Sequence, residues 1–203
     1  MMYLSGHLSP LVRNTRRPDV GVMNSPDIAY HLLGDMPAAY DNGMFKVWRH
    51  GGTWQPERWA AWLMRQPRGL FAVVPDVPAD AKRTELRFHL YAPFVARYQP
   101  VAYALQDGSD SVSPPWDDLD VLFVGGTDGF RYSEAGWRIV SEAKARGKWV
   151  HVGRVNTLRA LLACRAAQVD SVDGTHLAFA SDFIWPQLCR WLDQCNRQQV
   201  LAA

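Results

Sequence analysis

The sequence predicts an α/β protein whose parallel strands close into a compact (β/α)8 barrel. Eight short segments are apolar along almost their whole length, as strands buried on both faces of a parallel sheet are. Helical patterns separate most of these segments, and this alternation is typical of α/β folds with a parallel sheet. With 203 residues, the chain lies at the lower limit for a complete barrel, so we expect a trimmed one that forms a single domain over residues 1–203.

Four of the eight predicted strands lie in the first half of the chain, and each is a short apolar run that stops at a polar or turn residue. After the second strand, Asn24 and Ser25 begin a capping sequence for a helix over about 26–33, which Gly34 ends. Pro56 stands at a favoured first-turn position, so another helix is predicted over 56–66. The predicted strands span residues 3–7, 20–23, 38–41 and 70–74.

The second half of the chain continues the same alternation. Pro93 predicts a kink or break in a long helix, and Gly147 ends an amphipathic one. Asn156 and Thr157 supply capping side chains for the next helix. The predicted helices span residues 81–98 and 134–146, a stretch that ends at 167, and about 182–200; the predicted strands span 100–105, 121–124, 149–155 and a stretch from 168 to Asp173.

Composition excludes several classes of protein. Hydrophobic residues make up 48% of the chain and charged residues 21%, which are ordinary values for a folded domain. A net charge of +2 is too small to require a polyanionic partner. The cysteines Cys164, Cys189 and Cys195 follow neither a disulfide nor a zinc pattern, so we expect a reduced, cytoplasmic setting. The sequence also predicts no membrane segment and no export.

The predicted strand ends carry polar residues of the kinds that perform chemistry. A closed barrel brings the carboxyl ends of its strands together at one mouth, where the active sites of such barrels lie. A doubly wound open sheet is the alternative fold, but no phosphate-binding glycine fingerprint follows the first strand. The candidate residues at the strand ends are Asp41, Asp76, Gln106, Gly125, Gly126 and Asp173.

This set of residues suits exchange chemistry at a glycosidic carbon. One carboxylate can attack the anomeric carbon to form a covalent intermediate, and a second can carry the proton of the departing and incoming base. The third carboxylate and the carboxamide can read the hydrogen-bonding edge of a purine. The backbone at Gly125 and Gly126 allows a ligand to approach closely.

Each candidate also has an ordinary structural explanation. Asp173 before Gly174 is a common turn pair, and Asp41 before Asn42 and Gly43 is another. Asp76 follows a proline and suits the N-cap of the next helix. Gln106 fits a plain loop position, and the two glycines fit a tight turn.

The order of these motifs resembles that of the tRNA-guanine transglycosylase superfamily. The segment from Asp41 to Phe45 is similar to the family's aspartate-serine-glycine-glycine-phenylalanine segment, which implies that Asp41 is the proton-shuttling residue. The resemblance further implies that Asp173, in the segment VDSVDG, is the covalent nucleophile. It assigns base recognition to Asp76 in AVVPD, Gln106 in ALQDG, and Gly125 and Gly126 in LFVGG.

Three departures from the family pattern indicate which branch the chain resembles. Met44 replaces a family glycine, Pro75 and Asp76 lack the family's acidic and cysteine neighbours, and the family's zinc site of clustered cysteines and a histidine has no counterpart here. A short chain without a zinc subdomain resembles the DNA-modifying branch of phages and bacterial genomic islands. That resemblance implies exchange of guanine in DNA for a free 7-deazaguanine such as preQ0, through a covalent aspartyl-sugar intermediate, with no cofactor and no metal, in the host cytoplasm if the gene belongs to a phage.

The sequence also contains candidate contacts for nucleic acid. Arg16 and Arg17 belong to the densest basic cluster. Arg49 lies near Trp48, His50 and Trp54 in the sequence, and these side chains are available for unstacking a base. Three alternatives stay open, namely a transglycosylase acting on tRNA, a non-catalytic barrel that binds nucleic acid or a partner subunit, and, as a last resort, an unrelated barrel hydrolase or lyase.

Overall fold

The computed structural model describes residues 1–6, 9, 17–27 and 36–197, with the side chains of 176–182 left out. Within them, eight parallel strands form a closed barrel in sequence order. All eight strands were predicted, with ends that differ by a few residues. The strands are β1 Met2–Ser5, β2 Val20–Asn24, β3 Ala38–Tyr40, β4 Ala72–Val73, β5 Val101–Leu105, β6 Val121–Val124, β7 Trp149–Val152 and β8 Ser171–Gly174.

The barrel closes where its last strand pairs with its first. In that register Leu4 of β1 lies opposite Asp173 of β8, while β8 also pairs with β7. An open sheet would leave β1 and β8 as free edges, so this pairing rules out the doubly wound alternative.

Seven helices are described, and they cover the outside of the barrel. The sequence did not predict α1, which Gly43 begins with a left-handed φ of 77°, or the four-residue helix α4. Pro93 lies near the end of α3 and does not divide it. The predicted helix over 26–33 falls mostly outside the described residues. The helices are α1 Met44–His50, α2 Pro56–Leu63, α3 Ala81–Val95, α4 Asp128–Arg131, α5 Glu134–Ala145, α6 Leu158–Ala166 and α7 His176–Arg197.

The core has two parts because each strand is buried on both faces. One set of alternate residues, including Leu4, Val73 and Ala104 of the strands and Phe71 just before β4, forms a cluster to which no helix contributes, which is the barrel interior. The other set, such as Leu122, packs with the apolar faces of the helices. This arrangement explains why the strands read as continuous apolar runs. None of the described helices combines the length and the hydropathy that crossing a bilayer needs.

Candidate functional site

A cavity of about 440 Å³ lies at the carboxyl ends of the strands. Its volume is within the usual range of small-molecule sites. The barrel therefore brings together side chains that are up to about 130 positions apart in sequence. All six residues predicted for the site line this cavity: Asp41, Asp76, Gln106, Gly125, Gly126 and Asp173.

Asp41 directly follows β3 and is held by the backbone on both sides. Its N–H donates to the carbonyl of Asn24, 2.7 Å away, and its carboxylate accepts hydrogen bonds from the N–H groups of Asn42 and Gly43. Burial, followed by the negative charges of Asp76 and Asp173, raises the pKa of Asp41 to about 7. A carboxyl group with a pKa near neutrality can both give and take a proton, as a general acid and base must.

Asp76 is buried, and two amide side chains hold it in place. Asn42 Nδ2 donates to its Oδ1 at 3.0 Å, and Gln106 Nε2 donates to its Oδ2 at 2.6 Å. Burial raises the pKa of Asp76, while these hydrogen bonds and the charge of Arg87 oppose the rise. The N-cap of α3 is Asp80, which accepts from the N–H of Arg83. Asp76 is therefore not the cap of that helix.

Gln106 acts mainly through Asp76. Its amide nitrogen bonds that carboxylate, and its Oε1 accepts the N–H of Ala79 at 3.0 Å. Both ends of the carboxamide are thus engaged within the protein. The structure places Gln106 in the cavity wall, where it fixes the orientation of the Asp76 carboxylate.

Close contacts with neighbouring loop residues require glycine at positions 125 and 126, in addition to any need for a ligand to approach the backbone there. A Cβ on Gly125 would lie 2.9 Å from Gln106 Nε2, so a side chain there would displace the amide that supports Asp76. Gly126 has a φ of 74°, and its Cβ would lie 2.8 Å from Asp107 Oδ2. Glycine is required at both positions, and the backbone of Gly126 stays open to the cavity.

Asp173 lies near the end of β8, with both carboxylate oxygens held by donors. Oδ1 accepts the backbone N–H of Arg154 at 2.8 Å, and Oδ2 lies 3.1 Å from Nε2 of His151. The next residue, Gly174, has no room for a side chain, since a Cβ would lie 2.6 Å from Val155 O. The carboxylate is therefore directed into the cavity by a rigid strand end.

The rim of the cavity is aromatic and basic on one side. Phe45 and Trp48 of α1 line it, and their rings lie 5.8 Å apart. Trp48 is 54% exposed. The guanidinium of Arg154 lies 4.8 Å from the centre of the Phe45 ring and donates to the carbonyl of Gly126. Exposed aromatic rings beside a cation can stack nucleobases.

The residues predicted to contact nucleic acid do not lie together in the structure. Arg49 is exposed on α1, close to the rim. Arg17 lies just before the start of β2, at the opposite end of the barrel, and pairs there with Asp19 and Asp193 at 2.8 Å. Arg16 lies outside the described residues. Trp54 packs against Trp59 and Tyr91 and does not line the main cavity.

Sequence reasoning missed several residues of the site. Asn42 was interpreted only as a turn residue, and Arg154 was not singled out. His151 was not among the predicted site residues either, yet its Nε2 lies 3.1 Å from Asp173 Oδ2. The signal was present, because Trp149, His151 and Gly153 alternate along one face of their strand. Among the described residues, no group of three histidine, cysteine or acidic side chains is arranged to hold a metal ion.

The architecture is that of a TIM barrel, a class that carries its sites at the strand end where this cavity lies. Neither a scan against models of protein families nor a search of curated proteins finds a match to this chain. The chemistry must therefore be inferred from the residues of the cavity.

Proposed function

We propose that the protein is a nucleic-acid guanine transglycosylase that exchanges guanine in DNA for a 7-deazaguanine base. In this proposal Asp173 is the nucleophile and Asp41 the general acid and base. Asp76 reads the base, with Gln106 and Asn42 supporting it. The proposal agrees with the family resemblance of the sequence motifs.

The observation that carries this proposal is that two carboxylates with different surroundings share one cavity. Asp41 is half-buried and has a pKa of about 7, raised chiefly by lost hydration. Asp173 accepts the backbone N–H of Arg154 on one oxygen, has His151 Nε2 3.1 Å from the other, and is 18% exposed. Acidic pairs with such different environments typically divide the roles of proton carrier and nucleophile.

The first half-reaction would form a bond between an Asp173 oxygen and C1′ of the sugar. As the C1′–N9 bond of guanine breaks, protonated Asp41 gives its proton to the departing base. In the second half-reaction the Asp41 carboxylate takes the N9 proton of the incoming base, whose nitrogen attacks C1′. The bond from C1′ to Asp173 then breaks and restores the free carboxylate. Two displacements retain the configuration at C1′.

Recognition of guanine would depend on Asp76. An ionised carboxylate only accepts hydrogen bonds, and the Watson–Crick edge of guanine offers N–H donors that adenine does not present in that pattern. Asn42 and Gln106 each bond one oxygen of Asp76, which fixes the plane of the carboxylate. A base that lacks these donors would leave a buried acceptor unpaired, which is the strongest form of discrimination a site can exert.

A nucleic-acid strand suits the rim better than a free nucleoside does. Chemistry at C1′ inside a stacked strand requires the base to leave the stack. Phe45 and Trp48 offer aromatic surfaces at the mouth of the cavity, and Arg49 adds a positive charge on the same helix.

The test is to incubate the protein with labelled preQ0 and either DNA or tRNA. We expect label in DNA, and a covalent protein–DNA adduct that maps to Asp173. Asp173→Asn should abolish the adduct, while Asp110→Asn, at an exposed loop position outside the cavity, should behave as wild type. Label in tRNA would assign the enzyme to the other polymer. An adduct on another residue, or exchange that survives Asp173→Asn, would exclude this mechanism.

A further inference from the structure

We propose that His151 is a positioning residue for Asp173, the last link of a buried hydrogen-bonded chain that runs from Trp149 through Ser171. The role in catalysis rests on the function proposed above. The chain itself lies in the barrel interior, beneath the cavity. Trp149, Ser171 and His151 were not among the residues predicted for the site.

The geometry of the chain is continuous. Trp149 Nε1 donates to Ser171 Oγ at 2.9 Å. Ser171 Oγ lies 2.9 Å from His151 Nδ1, and His151 Nε2 lies 3.1 Å from Asp173 Oδ2. His151 and Ser171 are completely buried, and only Asp173 reaches the cavity. Three interior side chains therefore support the one carboxylate that faces the substrate.

Barrel register creates this arrangement. His151 of β7 lies opposite Ser171 of β8, and Asp173 is two residues further along the same strand. Side chains two apart point to the same face of a strand. The imidazole ring is also fixed laterally, since it stacks on Phe123 with centroids 4.8 Å apart and lies 5.2 Å from Phe71. Because the ring is also completely buried, packing fixes its orientation.

The donors of the chain select one tautomer of His151. An indole N–H can only donate, so Ser171 Oγ is its acceptor and the Ser171 O–H is left to donate to Nδ1. The histidine proton then sits on Nε2 and is directed at the Asp173 carboxylate. This assignment gives every polar group of the chain a partner. A proton on Nδ1 would instead leave Nε2 and Asp173 as two facing acceptors.

Two consequences follow for Asp173. Its carboxylate is held by Nε2–H on one oxygen and by the Arg154 N–H on the other, so the side chain is oriented before the substrate arrives. When the bond to C1′ breaks, the same N–H groups face the charge that returns to the carboxylate. The chain contains a serine, a histidine and an aspartate, but Ser171 is completely buried and therefore cannot contact a substrate as a nucleophile would. The aspartate is the member at the substrate end.

The first test measures the chain without any substrate. Nitrogen-15 NMR of the His151 imidazole should show a proton on Nε2 and a bare Nδ1, with the Nε2 proton slow to exchange and shifted downfield. Asp173→Ala should remove that downfield signal. An Nδ1-protonated ring, or a ring proton that exchanges as quickly as one in solvent, would overturn the proposal whether or not the protein exchanges bases.

The second test compares two substitutions in single-turnover adduct formation. His151→Leu removes the donor, and we expect roughly a 100-fold slower bond formation with little change in KM for DNA, since a misplaced reacting group costs about that much. His151→Gln keeps an amide N–H within reach of Asp173 and should recover most of the rate. Equal loss in both folded variants, or no loss in His151→Leu, would contradict the role.

A third variant keeps the test decisive if substitutions of the buried ring unfold the protein. Ser171→Ala retains the ring and removes the O–H that sets its tautomer, so the downfield Nε2 signal should weaken together with the rate. A normal signal and a normal rate in Ser171→Ala would overturn the chain. A wild-type protein that shows the Nε2 signal but forms no adduct would disprove base exchange alone.

Discussion

At the scale of single residues, Asp41 shows most clearly how the fold creates a functional property. An aspartate in water ionises near pH 3.8, but the cavity removes its hydration and places Asp76 and Asp173 nearby, so its pKa reaches about 7. Two backbone N–H groups moderate the rise. The group that suits proton transfer is therefore one that the folded state holds at a cost in stability.

Replacing Asp41 by asparagine should stabilise the protein at pH 8. Because the pKa of Asp41 is raised in the folded state, its contribution to the free energy of unfolding is fully present below about pH 4 and is lost as the pH rises through about 7. Asp41→Asn removes this loss, which is worth on the order of 2–4 kcal/mol in the free energy of unfolding. Urea denaturation at pH 4 and pH 8 measures it. A difference between the two proteins that does not change with pH would refute the raised pKa.

The pKa of Asp41 also predicts opposite pH dependences for the two half-reactions. Adduct formation needs protonated Asp41 and should slow as the pH rises through about 7, whereas release of the adduct by the incoming base needs the carboxylate and should slow as the pH falls through it. Rapid-quench measurement of each step between pH 5.5 and 8.5 tests this. Parallel profiles for both steps would assign the proton transfer to another group.

Alanine substitutions at Gly126 and Gly147 test whether close contacts, in addition to the backbone conformation, require glycine at position 126. Both have a positive φ, of 74° and 69°, but only at Gly126 would a Cβ meet neighbours, at 2.8 Å from Asp107 and 3.0 Å from Phe130. Gly147→Ala should cost about 1 kcal/mol for the backbone conformation alone. Gly126→Ala should cost more, about 2–4 kcal/mol, because a close contact is added. Equal costs in chemical denaturation would mean that the loop adapts freely.

Among the elements of the fold, α1 forms the aromatic part of the cavity rim. This helix of seven residues follows closely on Asp41 and the turn at Gly43, so the rim is joined directly to the end of β3. It presents Phe45 and Trp48 to the mouth, together with exposed basic side chains. The other large exposed apolar side chains of the described residues, such as Leu86 on α3, do not line the cavity.

Trp48→Ala should weaken binding of single-stranded DNA by about 1–3 kcal/mol, the usual value of one base stacked on an aromatic ring. Leu86→Ala is the matched control, since it removes an exposed apolar side chain of similar accessibility outside the mouth. Fluorescence anisotropy with a short labelled oligonucleotide measures both. If the two substitutions have the same effect, the strand does not cross the mouth over α1.

At the scale of the whole molecule, the two ends of the barrel have different tasks. The carboxyl ends of the strands carry the cavity, and the opposite end is tied together by polar contacts. Asp19 accepts hydrogen bonds from Arg17 at 2.8 and 2.9 Å and from Asn196 at 2.8 Å. These bonds join the start of β2 to the end of α7. In such barrels this end serves stability and the other serves function.

Asp19→Ala should therefore reduce stability without affecting chemistry at the mouth. Loss of a partly buried acceptor that serves Arg17 and Asn196 should cost about 1–3 kcal/mol. Glu142→Ala, which breaks an exposed pair with Arg146 on α5, should change the free energy of unfolding by less than about 0.5 kcal/mol. Thermal denaturation and the adduct assay distinguish these outcomes. Lost adduct formation in folded Asp19→Ala would show that the two ends are coupled.

The order of the strands and the positions of the acidic strand ends could be predicted from the amino-acid sequence alone. Strands buried on both faces must be apolar throughout, so they are visible in a local stretch of sequence, and Asp41 and Asp173 stand where such stretches stop. The same property hides which alternate residues face inwards, because both faces are apolar. At β7 the alternation of Trp149, His151 and Gly153 marks one face of the strand, but it does not say whether that face turns towards the barrel interior.

The contacts between the polar side chains of the site became visible only in the three-dimensional structure. Asp76 receives amides 34 and 30 positions away, and Asp173 meets a histidine 22 positions away. Such contacts depend on strand register and barrel closure, which no local pattern encodes. The raised pKa of Asp41 has the same origin, since lost hydration and neighbouring charges exist only once the barrel has closed around the cavity.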